Sequence, residues 1–379
     1  MITSVLYLKL KKLVKVVTKK HRLSGNKLFY LATLPEHFDT ITSYLDKSHL
    51  AKGKGWSKMV YEKPFGNDLE SAKKINKCIA RVFKEEQVFR IDHYLGKELV
   101  GNLAMLRFTN RVMEPLWNKE HIESVQILLS EKIGIEGRGN FYDKYGALKD
   151  VVQNHMLQIL ALTAMEAPAK LTGEFMRNEK AKVLRKIKVH KVLRGQYQGY
   201  LQEKGVKSNS SAETFAALHL EVQNKRWQGV PFYLKTGKYL TRKDTSIHIK
   251  FKPVHCLLQE NCPTDSNYLT VRIQPDEGFD LELFSKSPGT TTGVTPVKMD
   301  FCHSCLFKLK TPEAYQILLE DVIKGEQSLF VRNDEIEYSW KIIDKIEKKK
   351  GTVYTYKQGS KGPEELIKFA REHKMRWRG

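Results

Sequence analysis

Arg90-Ile91-Asp92-His93-Tyr94-Leu95-Gly96-Lys97-Glu98 is the stretch from which the rest of the chain is read. It follows a short apolar run, Val88, Phe89 and Ile91, with the character of a buried strand. It precedes a helix marked by Leu99, Leu103 and Leu106. An acid, an imidazole, a phenol and an ammonium therefore crowd the point where a strand ends and a helix begins. In open α/β sheets that edge is where ligands sit. His93 and Lys97 are four residues apart, so one helical turn aims both the same way. Two such donors at a helix N-terminus suit a phosphate. Spacing alone is equally compatible with a capped helix carrying solvated charges.

Upstream, residues 28–34 form an apolar run stopped by Pro35, the pattern of a buried strand. A helix is expected over residues 38–50 and a strand over residues 58–62. Pro64 disfavours the helical region for Lys63 and holds that lysine extended at a strand end, beside Gly66. Asn67 or Asp68 caps the next helix, with Glu70 as the capping-box partner. Ala72, Ile75, Ile79, Val82 and Phe83 make its apolar face. Strand–helix–strand repeated in this way predicts parallel strands joined by right-handed crossovers. Residues 1–24 stand apart: Lys9, Lys11, Lys12, Lys15, Lys19 and Lys20 interleave with apolar residues, and no acid precedes Glu36. Such a start reads as an organellar presequence or a surface-binding helix.

Downstream, Val125, Ile127 and Leu129 alternate with Ser124, Gln126 and Ser130, which predicts a half-buried strand. A glycine-rich turn spans residues 134–139, and one long helix is expected over residues 145–165. Strands are expected at 215–222, 230–235, 246–251, 268–274 and 279–284. His248 beside Ile249 suggests one wet face. Strands joined without long helices imply a largely antiparallel sheet. Helices at 314–323 and 364–372, the latter opened by Pro363, cover it.

The 379 residues carry a formal net charge of +22, with 41% hydrophobic and 28% charged residues. That is an ordinary soluble composition with no apolar run long enough to span a membrane. The lysines are spread along the chain, unlike the clustered Arg and aromatics of a nucleic-acid binder. Small phosphorylated ligands fit better, and a polyanion site at the Lys-rich start is the rival. The five cysteines are Cys78, Cys256, Cys262, Cys302 and Cys305. This odd, sparse set argues against a disulfide framework and for a reducing, cytoplasmic compartment. Cys302-His303-Ser304-Cys305 has redox-pair spacing, and with Cys256 and Cys262 it has four thiols for a zinc. Paired C-x-x-C units are absent from the sequence, so no metal is expected.

Several stretches then agree: the nonamer above, Glu62-Lys63-Pro64-Phe65-Gly66, Glu136-Gly137-Arg138-Gly139, Asp150-Val151-Val152-Gln153-Asn154-His155, Gly229-Val230-Pro231-Phe232 and Thr236-Gly237-Lys238. Together they resemble the glucose-6-phosphate dehydrogenase family from about Asn26 to near the C-terminus. The family opens with a Rossmann strand and a Gly-rich turn that this chain lacks, so the coding region upstream is expected to be incomplete. The resemblance implies an α/β plus α+β fold. Residues 1–24 are an unmatched basic segment, 25–92 a partial, truncated Rossmann-like parallel sheet, and 93–379 a large substrate-binding and dimerisation domain with a mostly antiparallel sheet covered by helices.

Oxidising a sugar hydroxyl needs a base, and histidine titrates near operating pH. The resemblance makes His155 that base. Its partner needs to orient it. Asp150, five residues earlier, lies about 140° round an α-helix and is expected not to face it. Asp92 fits instead, and the family pairs the matching Asp with its base. By the same resemblance, His93, Tyr94 and Lys97 meet the phosphate of glucose 6-phosphate. Glu131 and Asp150 accept from sugar hydroxyls, and Lys238, Lys243 and Gln274 close over the sugar. Lys63 bridges sugar and nicotinamide, with Ala32 and Pro35 on the NADP side. The resemblance further implies a homodimer or a tetramer built from it. The alternative is a coenzyme-deficient, catalytically impaired homologue that keeps the sugar-phosphate pocket.

Overall fold

A computed structural model describes residues 2–255, 262–263, 265–290, 292–307, 312–349 and 351–379. Its first sheet is parallel, ordered β1 (Lys27–Leu31), β2 (Ser57–Tyr61), β3 (Val88–Arg90). Leu31 pairs with Tyr61, and Tyr61 with Arg90, so all three strands end on one line. The segments leaving that line carry residues 33–35, Lys63 and the Asp92-His93-Tyr94 run. Helices Phe38–Lys47 and Leu69–Ala80 lie in the two connections. Met59, Val60 and Tyr61 are fully buried, as a strand covered on both faces requires. The Leu69–Ala80 helix is capped by Asp68, which accepts from the Ser71 amide at 2.7 Å, while the Ser71 hydroxyl accepts from the Asp68 amide at 3.2 Å. The box closes through Ser71 rather than Glu70, because Ser71 occupies the third helical position once Asp68 is the cap. The basic start forms helix Ile2–Lys20, which stacks Tyr7 on Tyr44 with ring centroids 5.2 Å apart and leaves Leu6, Leu10 and Leu13 exposed.

The second sheet has nine strands: β4 (Ile122–Ser130), β5 (Ile187–Tyr197), β6 (Phe215–Val222), β7 (Pro231–Gly237), β8 (Asp244–Phe251), β9 (Tyr268–Gln274), β10 (Gly278–Lys286), β11 (Val294–Cys302) and β12 (Val353–Tyr356). Their order is β11-β10-β9-β8-β4-β7-β6-β5-β12. Pairing is antiparallel except for β4 with β7 and β5 with β12. Two expectations fail here for one reason, cover on both faces. Ser124, Gln126 and Ser130 are buried along with the apolar residues of β4, so that strand is not half-wet. The Gln126 side-chain carbonyl accepts from the Arg378 amide at 3.1 Å, and its Nε2 donates to the Arg376 carbonyl at 2.8 Å, as the C-terminal tail crosses the sheet. His248 is likewise buried, with its ring nitrogens 3.0 Å from the Ser246 hydroxyl and 3.1 Å from the Thr270 hydroxyl.

The expected single helix over 145–165 is three consecutive segments. Gly139–Ala147 and Leu157–Ala164 are α-helical, and between them Leu148–Met156 winds as a π-helix. All eight residues of Leu157–Ala164 are buried, so the segment runs through the core between sheet and helices. The change of winding follows Gly146, at φ 60° and ψ −177°, a conformation open essentially to glycine alone. The Glu213 carboxylate accepts from the Leu148 amide at 2.9 Å and satisfies one of the free donors at this start. Cys302 and Cys305 are joined as a disulfide where β11 turns into helix His303–Phe307, while Cys256 lies outside the described residues. The buried apolar core is continuous from Met59 in the small sheet through Val152 to Ile249 in the large one.

A side chain at position 146 meets the Glu213 carboxylate, since a Cβ there lies 2.5 Å from Oε1. Gly146→Ala is expected to destabilise the fold by about 1–3 kcal/mol or more through φ strain and this clash. The drop in thermal midpoint measures it, and an unchanged midpoint contradicts this account of the winding change.

Candidate active site

The strand ends of the small sheet face the π-helix, and a cleft of about 430 Å³ lies between them. Pro35, Lys63, His93 and Tyr94 line it from the sheet side. Asp150, Val151 and His155 line it from the π-helix, and Glu131 and Lys238 from the ends of β4 and β7.

His155 is fully buried but for its edge on this cleft, and its Nδ1 is hydrogen-bonded to Asp92 Oδ1. That carboxylate oxygen also accepts from the Tyr94 amide at 3.0 Å, so the turn after β3 fixes the acid. With Nδ1–H donating to Asp92, Nε2 is left as an acceptor, and Lys63 Nζ lies 2.8 Å from it. The His93 and Tyr94 rings pack on the imidazole with centroids 4.7 and 4.4 Å away. Burial lowers the His155 pKa below the ordinary value, and Lys63 adds to this against the opposing pull of Asp92 and Asp150. Burial likewise brings His93 down to about 3, with His155, Lys63 and Lys97 adding to it against Asp92. For Asp92, burial acts upward, but His155, His93 and Lys63 outweigh it and hold the carboxyl at about 2. The site therefore holds a neutral imidazole against a carboxylate, the arrangement of a base with its orienting acid.

Asp150 does face His155, contrary to the α-helical estimate. In a π-helix hydrogen bonds run from i to i+5, which puts residues five apart on one side. Lys63 Nζ clamps the two together, donating to the Asp150 carbonyl at 3.2 Å and lying 3.4 Å from its carboxylate. Burial would raise Asp150, but Lys63, Lys238 and His155 hold it below the usual carboxylate range. Lys238 is buried and pairs with Glu131 at 2.6 Å. Farther along, Lys97 donates to Gln274 Oε1 at 2.7 Å, and Gln274 Nε2 donates to the Tyr94 hydroxyl at 3.3 Å, so these three form one polar string beside His93. Burial and the neighbouring Lys243 lower the Lys97 pKa, against Glu277 and Glu313.

Five expected residues are not on the cleft wall: Asp92 stands behind His155, Lys97 and Gln274 lie farther along, Lys243 is exposed, and Ala32 is exposed just after β1. Thr33, Leu34, Arg138 and Phe141 line the cleft without having been singled out. Arg138 was within reach of the sequence, since it sits in the quoted Glu136-Gly137-Arg138-Gly139 turn. Phe141 was not, because an aromatic two residues into a helix reads as core.

A dinucleotide finds part of its site here. Thr33, Leu34, Pro35 and Lys63 stand on the same cleft as His155, so they fit its reacting nicotinamide end. A pyrophosphate takes a glycine-rich helix start. Among the described residues, the helix that follows β2 opens instead on the Asp68 carboxylate. Asp92, His93 and His155 also bring potential metal ligands within 4.8 Å of one another, but the Lys63 ammonium already stands on His155 Nε2.

A parallel strand-end edge and a large mixed sheet, meeting at a base–acid pair, define a two-domain oxidoreductase of the dinucleotide-dependent class. Residues 3–102 match the family model described as glucose-6-phosphate dehydrogenase, NAD binding domain, and residues 104–378 match its C-terminal domain. The chain belongs to the glucose-6-phosphate dehydrogenase family. It is 44% identical to glucose-6-phosphate 1-dehydrogenase 2 of Mycobacterium tuberculosis, over 93% of this chain and 73% of that protein. It is 40% identical to the glucose-6-phosphate 1-dehydrogenase of Bacillus subtilis, over 98% of this chain and 81% of that protein. A solved glucose-6-phosphate dehydrogenase in complex with glucose 6-phosphate superposes with a TM-score of 0.91 at 36% identity, over 98% of this chain and 80% of that one. The Mycobacterium avium enzyme gives 0.85 at 35% identity, over 97% and 80%. NADP is the coenzyme this family indicates. No helix among the described residues is long and apolar enough to cross a membrane.

The His93 imidazole is expected to stay neutral from about pH 8 down to about pH 5, and the His155 imidazole to titrate below the ordinary histidine value of about 6.5. Histidine ring NMR checks this, and titration of either ring near pH 6.5 contradicts the burial argument. The sign for stability follows. A depressed folded pKa means the unfolded chain takes up protons first, so their contribution to stability is full above about pH 6.5 and falls as pH drops below it.

Proposed function

We propose that this chain oxidises the C1 hydroxyl of β-D-glucose 6-phosphate with NADP, yielding 6-phospho-D-glucono-1,5-lactone, the first step of the oxidative pentose phosphate pathway. The observation that carries this reading is His155, with Nδ1 committed to Asp92 and Nε2 directed at the cleft beside Lys63. In that role Nε2 takes the C1 hydroxyl proton. Lys63 marks where a donor already meets the Nε2 lone pair, which is the position a substrate O–H takes. Asp92 keeps the tautomer and stabilises the imidazolium that forms. When bound, NADP supplies the hydride acceptor.

In the same reading Glu131 and Asp150 accept from sugar hydroxyls and Lys63 bridges sugar and nicotinamide. Lys238 is held at the sugar by Glu131. His93, Tyr94 and Lys97 receive the phosphoryl group, with Gln274 behind them and Lys243 reaching in from the rim. A neutral His93 suits this, because it offers a hydrogen bond without competing with Asp92 for charge. Ala32 and Pro35 belong to the coenzyme side. The reading makes the protein a cytoplasmic homodimer, or a tetramer built from two such dimers, acting on a small molecule rather than on nucleic acid or membrane.

NADPH formation from glucose 6-phosphate tests the activity. His155→Asn is expected to lower kcat by about 10²–10⁴-fold and to leave glucose 6-phosphate binding in place. Unchanged turnover removes His155 as the base. Separate titrations with sugar phosphate and with NADP distinguish the enzyme from the coenzyme-deficient homologue, which binds the first and not the second.

A further inference from the structure

Behind the cleft, on the far side of the Asp92–His155 pair, lies a second and much smaller cavity of about 30 Å³. Asp92, Gln153 and Gln158 line it on one side and Arg90, Ile336 and Ser339 on the other. Three of these residues carry a buried polar atom with no hydrogen-bond partner: Asp92 Oδ2, Arg90 Nε and Ser339 Oγ. Other polar atoms of Asp92 and Arg90 are engaged. Asp92 Oδ1 accepts from His155 and Tyr94. The Arg90 terminal nitrogens bond to Glu85 and Asn76. One donor, one acceptor and one hydroxyl thus stand unsatisfied around a space large enough for a single ordered water. Buried polar groups without partners are uncommon in native proteins, and three on one cavity call for a shared partner.

We propose that this cavity binds one water, which accepts from Arg90 Nε, donates to Asp92 Oδ2 and completes its bonding at Ser339 Oγ. Ser339 is thereby a positioning residue for the Asp92–His155 pair, acting through the water and the carboxylate. It comes from helix Asn333–Lys348, about 250 residues from the acid it serves. That helix is locked in place. Its Glu335 forms an ion pair with Lys180 at 3.0 Å, both without exposure, and Trp340, next to Ser339, donates from its indole to the Phe65 carbonyl at 2.7 Å. A hydroxyl held so rigidly keeps the water fixed, and the water keeps Asp92 Oδ2 from turning towards His155. The water also draws charge towards Oδ2, which moderates the pull of Asp92 on the imidazole.

This proposal rests on the reading of His155 as the base, and its test does not need turnover. In a crystal structure of the full chain, the cavity is expected to hold one ordered water within hydrogen-bond distance of all three atoms. Ser339→Ala is expected to displace or disorder that water. It then raises the His155 pKa, read by NMR of the ring, because Asp92 loses a donor. The groups facing that ring from all sides, Asp92, Lys63, Asp150, His93 and Tyr94, are unchanged in the variant. The downfield resonance of the imidazole proton shared with Asp92 should shift as well. Ser339→Thr, which keeps the hydroxyl, restores both signals, and Ser339→Cys, similar in size with a weak donor, falls between. If the chain turns over glucose 6-phosphate, Ser339→Ala lowers kcat about tenfold and leaves KM for the sugar unchanged. A dry cavity overturns the proposal, as does a folded Ser339→Ala protein whose His155 signals match the parent's. The expected shifts in a chain that does not turn over count against the activity alone.

Discussion

The hydrogen bond between Asp92 and His155 is the joint on which the molecule is assembled. Its acid stands where the last strand of the small sheet ends, and its imidazole stands on a segment that runs through the core of the larger domain. Neither partner is tolerable alone at that depth. An unpaired buried carboxylate or a misplaced imidazole leaves an uncompensated polar group, which costs several kcal/mol. The pair therefore enforces the approach of the two sheets as well as the chemistry between them. Lys63 adds a third point. Its ammonium reaches Asp150 and His155 together, so the end of β2 is tied to the same segment as the end of β3.

Charge is arranged around this joint so that each group has one stable form. Burial alone would neutralise Asp92 and Asp150, yet the cations and imidazoles around them keep both ionised. Burial, with Lys63 adding to it, holds His93 and His155 below the ordinary histidine value. A neutral imidazole next to anions, with lysines close by, follows from these opposing effects. The residues that achieve it are drawn from nearly the whole chain, from Pro35 to Gln274.

Much of this was legible in the sequence. The parallel order of the first sheet follows from strand-like runs alternating with helical spacing. The extents of β6 and β9 follow from their strand-like runs between turns. The strand Ile187–Tyr197 was missed because Lys188, His190, Lys191 and Arg194 interrupt any apolar period, and its outer half is only partly covered. Helix Gly173–Arg185 was missed for a similar reason, since its buried face includes Arg177 and Lys180. The expected Asp92–His155 contact is formed, but Asp150 was set on the wrong side of its helix, because periodicity arguments assume 3.6 residues per turn. Nothing in Leu148-Lys149-Asp150-Val151-Val152-Gln153-Asn154-His155-Met156 announces a different winding. The cause lies in tertiary structure, at Gly146 and at the Glu213 carboxylate, which comes from 65 residues away to meet the Leu148 amide.

The widened winding of that segment has a consequence for how the chain can vary. In this winding a spacing of five faces an acid and an imidazole the same way. An ordinary α-helix does so at a spacing of four. Length and winding are therefore coupled between positions 150 and 155: with one residue fewer the commoner, tighter coil keeps the two side chains on one side, whereas that coil at the present length swings them apart.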